Sequence, residues 1–410
     1  MNNNKIFKGR KYFFEALWEG LLKICGSVTS IIILLIVLFL FSEGAGFFFK
    51  SEIEEGCVVV NGNNNINVEN LTSQNIKNIF DQNIASWADL GVKMEEDEIK
   101  VFWFNDIESY VENEDELESD TAICKTLNRI VSDNANIIAF IPQKYVNQDF
   151  TGRKLEMGTF KAKDFFGGKE WYPTAKPAPQ FGVLPIILGT LWVSLGAILL
   201  ALPFGLAVAI YMAELATRRT HRILKPTIEL LAGIPSVVYG FFGLVIIVPM
   251  IQKLFNLPVG ETALAGSIIL GIMALPTIIT ISEDALRSAP RAMKEASLAL
   301  GANKWQTIVR VIIPYSISGI TAGVVLGIGR AIGETMAVLM VTGNSAVIPH
   351  TLLEPIRTIP ATIAAELGEA AKGGTHYQAL FLLGCVLFIL TLLTNTSVEY
   401  ISSRRRYKRG

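Results

Sequence analysis

KEASLALGANKWQTIVRVIIPYSISGITAGVVLGIGRAIGETMAVLMVTGN, residues 294–344, is the stretch whose reading decides the fold. It opens as a basic, amphipathic loop and runs directly into an apolar segment long enough to be a membrane helix. Arg330 and Glu334 sit inside that segment, and their i, i+4 spacing predicts that both lie on one helical face. A charge within an apolar span costs roughly 2.5–3.5 kcal/mol on insertion scales, so it faces a water-filled path and marks a functional site.

The surrounding chain supplies the membrane fold that such a segment needs. Of the 410 residues, 51% are hydrophobic, and the net charge is −1. The average decides little, but the distribution is uneven. Apolar stretches occupy roughly residues 20–49, 184–212, 227–251, 262–281, 312–342 and 377–398. Each can span a hydrocarbon core of about 30 Å, which takes about 20 helical residues. The expected fold is an all-α polytopic membrane protein with six transmembrane helices.

Charge orients it. Basic residues collect at Lys5, Lys8, Arg10, Lys11 and Lys23, at Arg218, Arg219, Arg222 and Lys225, at Arg287, Arg291, Lys294, Lys304 and Arg310, and in the tail SRRRYKRG. If each stretch crosses once, all of these fall on one side, which the positive-inside rule makes the cytoplasm, with both termini there. A cleaved signal peptide is a poorer account of the first stretch, which is too long, begins too far in and lacks a small-residue cleavage site.

Residues 50–180 differ in kind. They are polar and Asn-rich, with acidic runs at 95–98 and 112–118 that read as solvated faces. Strand-like pieces at 57–60, 99–104 and 136–141, and a helix signature at 71–80 with Thr72 as its N-cap, predict an extracytoplasmic α/β insertion. Cys57 and Cys124 share it and are candidates for a disulfide, with two free thiols as the alternative. Cys25 and Cys385 fall in spans as apolar filler. With three scattered histidines and no close Cys/His cluster, no metal site is expected. Trp171-Tyr172-Pro173, followed by Pro177 and Pro179, predicts a stiff re-entry into the second span at an aromatic interface.

The loop carries the most specific pattern. Glu295-Ala296-Ser297, then Gly301, then Val311, Ile313 and Pro314 reproduce, with mild replacements, the EAA-x3-G-x9-I-x-L-P spacing. Pro290 suits the start of a short helix and Gly301 its end, because glycine tolerates left-handed backbone. The expected product is a short helix on the cytoplasmic face that docks into another protein, in preference to a loop resting on lipid. This spacing resembles the EAA loop of ABC importer permeases. Residues 181–191, 231–240 (LAGIPSVVYG), Gly329-Arg330-Ala331-Ile332-Gly333-Glu334-Thr335 and Gly343-Asn344 are, together, similar to the PstC-type permease subunit of the phosphate ABC importer.

The resemblance implies a type I importer permease fold. Its organisation is residues 1–49 as N-terminus and first helix, 50–180 as the insertion, 181–402 as a five-helix core with coupling loop 283–312, and 403–410 as a basic tail. It further implies a homologous second permease, an ATP-binding subunit dimer engaging Glu295–Gly301, an extracytoplasmic phosphate-binding protein, and a place in the plasma (inner) membrane. The chain has no G-x-x-x-x-G-K-[ST] motif, so ATP is expected to be used by the partner subunit, with no cofactor of its own and no nucleic acid. No nucleophile–base arrangement suggests an enzyme.

Arg330 is the expected anion contact, since a guanidinium stays charged and fits phosphate oxygens bidentately. Glu334 would balance it when the path is empty; the alternative is a purely structural salt bridge between the two. Thr335 and Asn344 are candidate donors in the pathway, or satisfy nearby backbone. Arg330 alone does not choose among tetrahedral oxyanions, so molybdate or sulfate stays open beside phosphate, and a membrane sensor or scaffold is the reading from another class. Residues 71–80 and 84–90 of the insertion are also similar to a stretch of phosphate-binding proteins, but the Ser-Gly-Thr loop that follows there is missing. The missing loop counts against an anion site in the insertion and leaves a docking or regulatory part, or a spacer, as the readings.

Overall fold

In the computed structural model, six helical stretches among the described residues are long and apolar enough to cross a membrane: Leu17–Phe49, Leu184–Leu215, Ser236–Phe255, Ala263–Arg287, Lys304–Gly333 and Thr375–Ser397. The structure describes residues 3–50, 53, 56–62, 72–91, 97–111, 117–146, 150–155 and 158–407. Helix α1 (Asn3–Ala45) carries the first span and ends in a tight turn, Gly46–Phe49. Between it and the second span lies the insertion.

The insertion has its own core. Strands β1 (Cys57–Val60), β2 (Lys100–Trp103), β3 (Ile137–Ile141) and β4 (Arg153–Lys154) form one sheet in the order β2-β3-β1-β4. The β2–β3 pair is parallel, and β1 runs antiparallel to both β3 and β4. Alternation of side chains sends Val58, Val60 and Ile138 to one face, where α2 (Ser73–Phe80) packs Ile76, Ile79 and Phe80 with Trp87. Cys57, Val59 and Ile137 go to the other face, against Leu127, Ile130 and Val131 of α3 (Asp120–Asp133). Thr72 caps α2 as expected, its side chain accepting from the Asn75 N–H at 3.2 Å. The start of the 71–80 signature, and parts of the acidic runs at 95–98 and 112–118, lie outside the described residues.

Cys57 and Cys124 are not joined; both thiols are free. Cys57 is buried in β1, whereas the Cys124 thiol donates to the Tyr145 carbonyl at 3.2 Å, so burial and a backbone acceptor already occupy the two sulfurs. The chain leaves the insertion through α4 (Ala162–Gly167) and a ribbon of β5 (Trp171–Tyr172) and β6 (Gln180–Phe181). Rings of Phe47, Phe160, Phe165 and Phe181 gather where it enters and exits, with Phe47 centred 4.6 Å from Phe160 and 5.3 Å from Phe181. Gly168 and Gly182 touch through their backbones: a Cβ on Gly182 would fall 2.3 Å from the Gly168 carbonyl carbon.

The core helices follow. Helix α5 (Leu184–Ile210) ends in a wide turn, Tyr211–Leu215, and leads to the amphipathic α6 (Arg218–Gly233). The third span, expected over 227–251, begins instead at Ser236. Pro235 offers no N–H and pushes Ile234 into extended backbone (φ −69°, ψ 128°), so residues 227–233 finish α6. Helices α7 (Ser236–Phe242) and α8 (Val248–Phe255), joined by a wide turn, form that span. Helix α9 (Ala263–Arg287) is the central one, packed between α5 and α12 (Ile313–Gly333). Ile278 of α9 fits against Gly205 and Gly327, where an added Cβ would come within 2.9 Å; small residues let these helices approach closely.

The fifth span also departs from expectation. It does not run through Thr342 but stops at Gly333, and α13 (Met336–Val341) is a separate short helix. A loop containing α14 (Ile359–Glu366) then leads to α15 (Thr375–Tyr407), which continues past residue 402 into the basic tail.

Candidate functional site

Three polar assemblies interrupt this apolar scaffold. The first is the loop after α9. Pro290 (φ −58°, ψ 136°) sits immediately before α10 (Arg291–Ala299), as its N-cap rather than its first residue. The helix closes at Gly301, whose φ of +86° is the left-handed geometry that a terminal glycine supplies. Asn303 and Gln306 then form a capping box that starts α11 (Lys304–Thr307), which passes through a wide turn into α12, with Pro314 in its first turn. Ser297 bonds Thr307 across the loop at 3.0 Å, and the Lys294 ammonium pairs with Glu214. Glu295 and Ala296 face outward, and so do Leu298, Trp305 and Leu300, the last 90% exposed. The result is a short helix fixed on one side and presenting an unpartnered, partly apolar surface on the other.

The base of this loop rests on Glu283, which sequence reasoning passed over. Its carboxylate, 1% exposed, is met by His221 Nε2 at 2.6 Å, Lys225 Nζ at 2.9 Å and Arg287 Nε at 3.0 Å. Arg287 also donates to the Met212 carbonyl at 3.2 Å. Burial opposes the charge on Lys225, but Glu283 and Asp284 outweigh it and hold the ammonium above its usual range. Lys225 and Arg287 read in the sequence as a topology signal, which hid their role as partners of one acid. Glu283→Ala strands Lys225 and Arg287 and leaves the His221 ring without its acid; it is expected to cost about 3–5 kcal/mol, read as a lowered melting temperature of the purified protein, with Glu283→Gln falling between.

The second assembly is the break in the fifth span. Arg330 occupies the last turn of α12 and is half-buried. Glu334 does not share its helical face: the helix has already ended at Gly333, and Glu334 is extended (φ −72°, ψ 132°). Glycines at 329 and 333 weaken helix propagation there, and tertiary packing completes the break. No ion pair within 4.0 Å joins Arg330 to Glu334 or to any other carboxylate among the described residues. Arg330 lies within electrostatic reach of Tyr239, whose hydroxyl donates to the Leu231 carbonyl at 2.8 Å near the α6–α7 break. The Thr335 hydroxyl bonds the Gly333 carbonyl at 3.4 Å, satisfying backbone that the break releases. A groove of about 510 Å³ opens beside it, lined by Gly333, Thr335, Pro360, Ile363, Leu367 and Leu387. Across α12, the Asn395 side-chain oxygen is buried without a partner and faces Gly329.

Asn344 belongs to the third assembly, on the insertion side. It follows Gly343 in a turn where both residues have positive φ (+77° and +50°). Its amide donates to the Leu339 carbonyl at 2.8 Å, and its own carbonyl accepts from Arg357 Nε at 3.1 Å. Arg357 Nη1 in turn meets Glu366 at 2.6 Å, and that carboxylate also receives His376 Nε2 at 2.9 Å and Trp171 Nε1 at 3.0 Å. Burial pushes the Glu366 carboxyl up, but hydrogen bonds from His376 and Trp171 and the Arg357 charge outweigh it and hold it below the usual carboxylate range. Of the expected pathway residues, the structure therefore groups Arg330, Glu334 and Thr335 at the break and engages Asn344 with Arg357.

Residues 201–407 match the family model described as "Binding-protein-dependent transport system inner membrane component". The chain is 42% identical over 243 residues to the "Probable ABC transporter permease protein YqgH" of Bacillus subtilis, covering 59% of this chain and 78% of that protein. It is 37% identical over 274 residues to the "Phosphate transport system permease protein PstC" of Mesorhizobium japonicum, covering 62% and 82%. It is 35% identical over 263 residues to the PstC protein of Haemophilus influenzae, covering 58% and 82%. With six membrane-length helices, an exposed helix after the fourth and a family match over half its length, this chain belongs to the inner membrane components of binding-protein-dependent transport systems.

Proposed function

We propose that the chain is a permease subunit of an ATP-driven phosphate importer, and that Arg330 contacts the anion as it passes. The observation carrying this is a half-buried guanidinium at the helix break with no carboxylate partner among the described residues. An uncompensated charge in an apolar span is costly, and a passing anion compensates it for part of the cycle. Glu334, released from the helix, repels a bound anion and limits how tightly it is held. The similarity to proteins named as phosphate permeases supports phosphate over molybdate or sulfate.

In this reading α10 is the coupling helix. An ATP-binding subunit dimer docks on Glu295, Ala296 and the exposed leucines, and its closure on ATP switches the pathway between inward- and outward-facing states. A homologous second permease completes the pathway, and a phosphate-binding protein delivers substrate on the insertion side. The basic clusters put both termini and α10 in the cytoplasm and residues 50–180 outside. The chain itself holds no cofactor. The test is energised uptake of labelled phosphate by the assembled complex in vesicles, with arsenate, sulfate and molybdate as competitors. Competition by arsenate alone supports the reading, and displacement by sulfate or molybdate at equal concentration overturns the choice of phosphate.

A further inference from the structure

Glu366 joins the ribbon of the insertion to its own neighbourhood in the core. Trp171 comes from the ribbon closing the insertion, Arg357 from the loop after α13, and His376 from the first turn of α15. The body of the insertion is tied to the same ribbon, because Lys77 of α2 pairs with Glu170 at 2.9 Å, one residue before Trp171. On the other side of Glu366, Arg357 holds the Asn344 carbonyl, and the Asn344 amide holds Leu339 in α13, the helix that begins at the break beside Arg330. Polar contacts, continued through the Glu170–Trp171 peptide and the backbone of α13, thus connect α2 of the insertion to the segment carrying Glu334 and Thr335. The Trp171 ring is already packed against Phe181, with centroids 5.6 Å apart, so packing alone would seat it; the indole N–H adds a directed link to the permease core.

The Asn344 turn is where this chain of contacts holds an unmet polar group. Both residues of the turn are left-handed, and the Asn344 Oδ1 is buried with no hydrogen-bond partner. A buried oxygen without a donor is unfavourable, and a rearranged turn that supplies one relieves it. A link that biases the turn therefore biases what surrounds Arg330.

We propose that Glu366 is a positioning residue that relays the seat of the inserted domain, through Arg357 and Asn344, to the break at Arg330. A protein docking on the insertion side then alters the anion path without touching it. This rests on the transport reading above, and the experiment separates the two. The full complex is assembled with wild type, Glu366→Gln or Trp171→Phe, the second variant keeping a six-membered aromatic ring against Phe181 and losing the five-membered ring with its N–H. One readout is stimulation of ATP hydrolysis by phosphate-loaded binding protein over the basal rate. It is expected to fall roughly fivefold in Glu366→Gln and less in Trp171→Phe. The other needs no phosphate: the spin-label distance between Asp89→Cys and Val347→Cys, both exposed positions, in a background without other accessible thiols. Its distribution is expected to broaden in both variants. Wild-type stimulation and wild-type distances in assembled Trp171→Phe overturn the relay, even where Glu366→Gln fails to assemble. A wild-type complex that takes up no phosphate overturns the transport reading, while the label distances still decide the relay.

Discussion

Arg330→Gln abolishes uptake in the expected result, while the complex still assembles in normal amount. The magnitude follows from the chemistry lost. A guanidinium gripping an oxyanion makes two charge-assisted hydrogen bonds, each about 1.5–3 kcal/mol, so their removal slows transport by roughly 10² to 10⁴. Stability moves little, because Arg330 has no carboxylate partner that its loss would strand among the described residues. That combination is diagnostic. Had Arg330 been the locked salt bridge that its spacing with Glu334 suggested, the same variant would have left a buried acid unpaired and lowered the yield of complex. Arg330→Lys keeps the charge without the planar fork and is expected to fall between. Uptake is measured per assembled complex in membrane vesicles; normal transport by Arg330→Gln removes the anion role.

Leu300→Asp is expected to be severe by a different route. Leu300 is 90% exposed at the end of α10, so a carboxylate there costs the isolated chain within about 0.5 kcal/mol. If α10 enters a groove of the ATP-binding subunit, the same carboxylate is buried unpaired at the contact, and truncating or charging such a centre costs 2 kcal/mol or more, on the order of 30-fold in affinity or greater. The checking measurement is co-purification of the ATP-binding subunits with the tagged permease, alongside the amount of membrane-inserted chain. Retained co-purification would mean that α10 lies outside the contact.

Much of the scaffold was legible because long apolar runs leave the backbone few options but helix. The short helix α10 was legible too, since Pro290 and Gly301 punctuate it by local rules. Helix breaks were harder. The apolar run resumes at Met336, and although Gly329 and Gly333 weaken the helix, packing completes the break before Glu334 rather than letting the helix carry it round to the face of Arg330. Pro235 did carry a local signal, but the apolar run around it concealed that α6 owns residues 227–233. The buried acids were invisible for another reason. Glu366 and Trp171 are 195 residues apart, and nothing in the pattern of either announces the other. Cys57 and Cys124 show the converse: a shared compartment says nothing about proximity when each sulfur is already accommodated.

The ring cluster of Phe47 and Phe181 has a consequence for how such a chain is put together. Because the polypeptide departs and returns at nearly the same point, with ring centroids 5.3 Å apart, everything between hangs from this hook and from the Trp171 tether. Its size is then free to drift over generations, or to be altered by an engineer, without the helical bundle registering a change of span, provided the hook and the Trp171 tether survive.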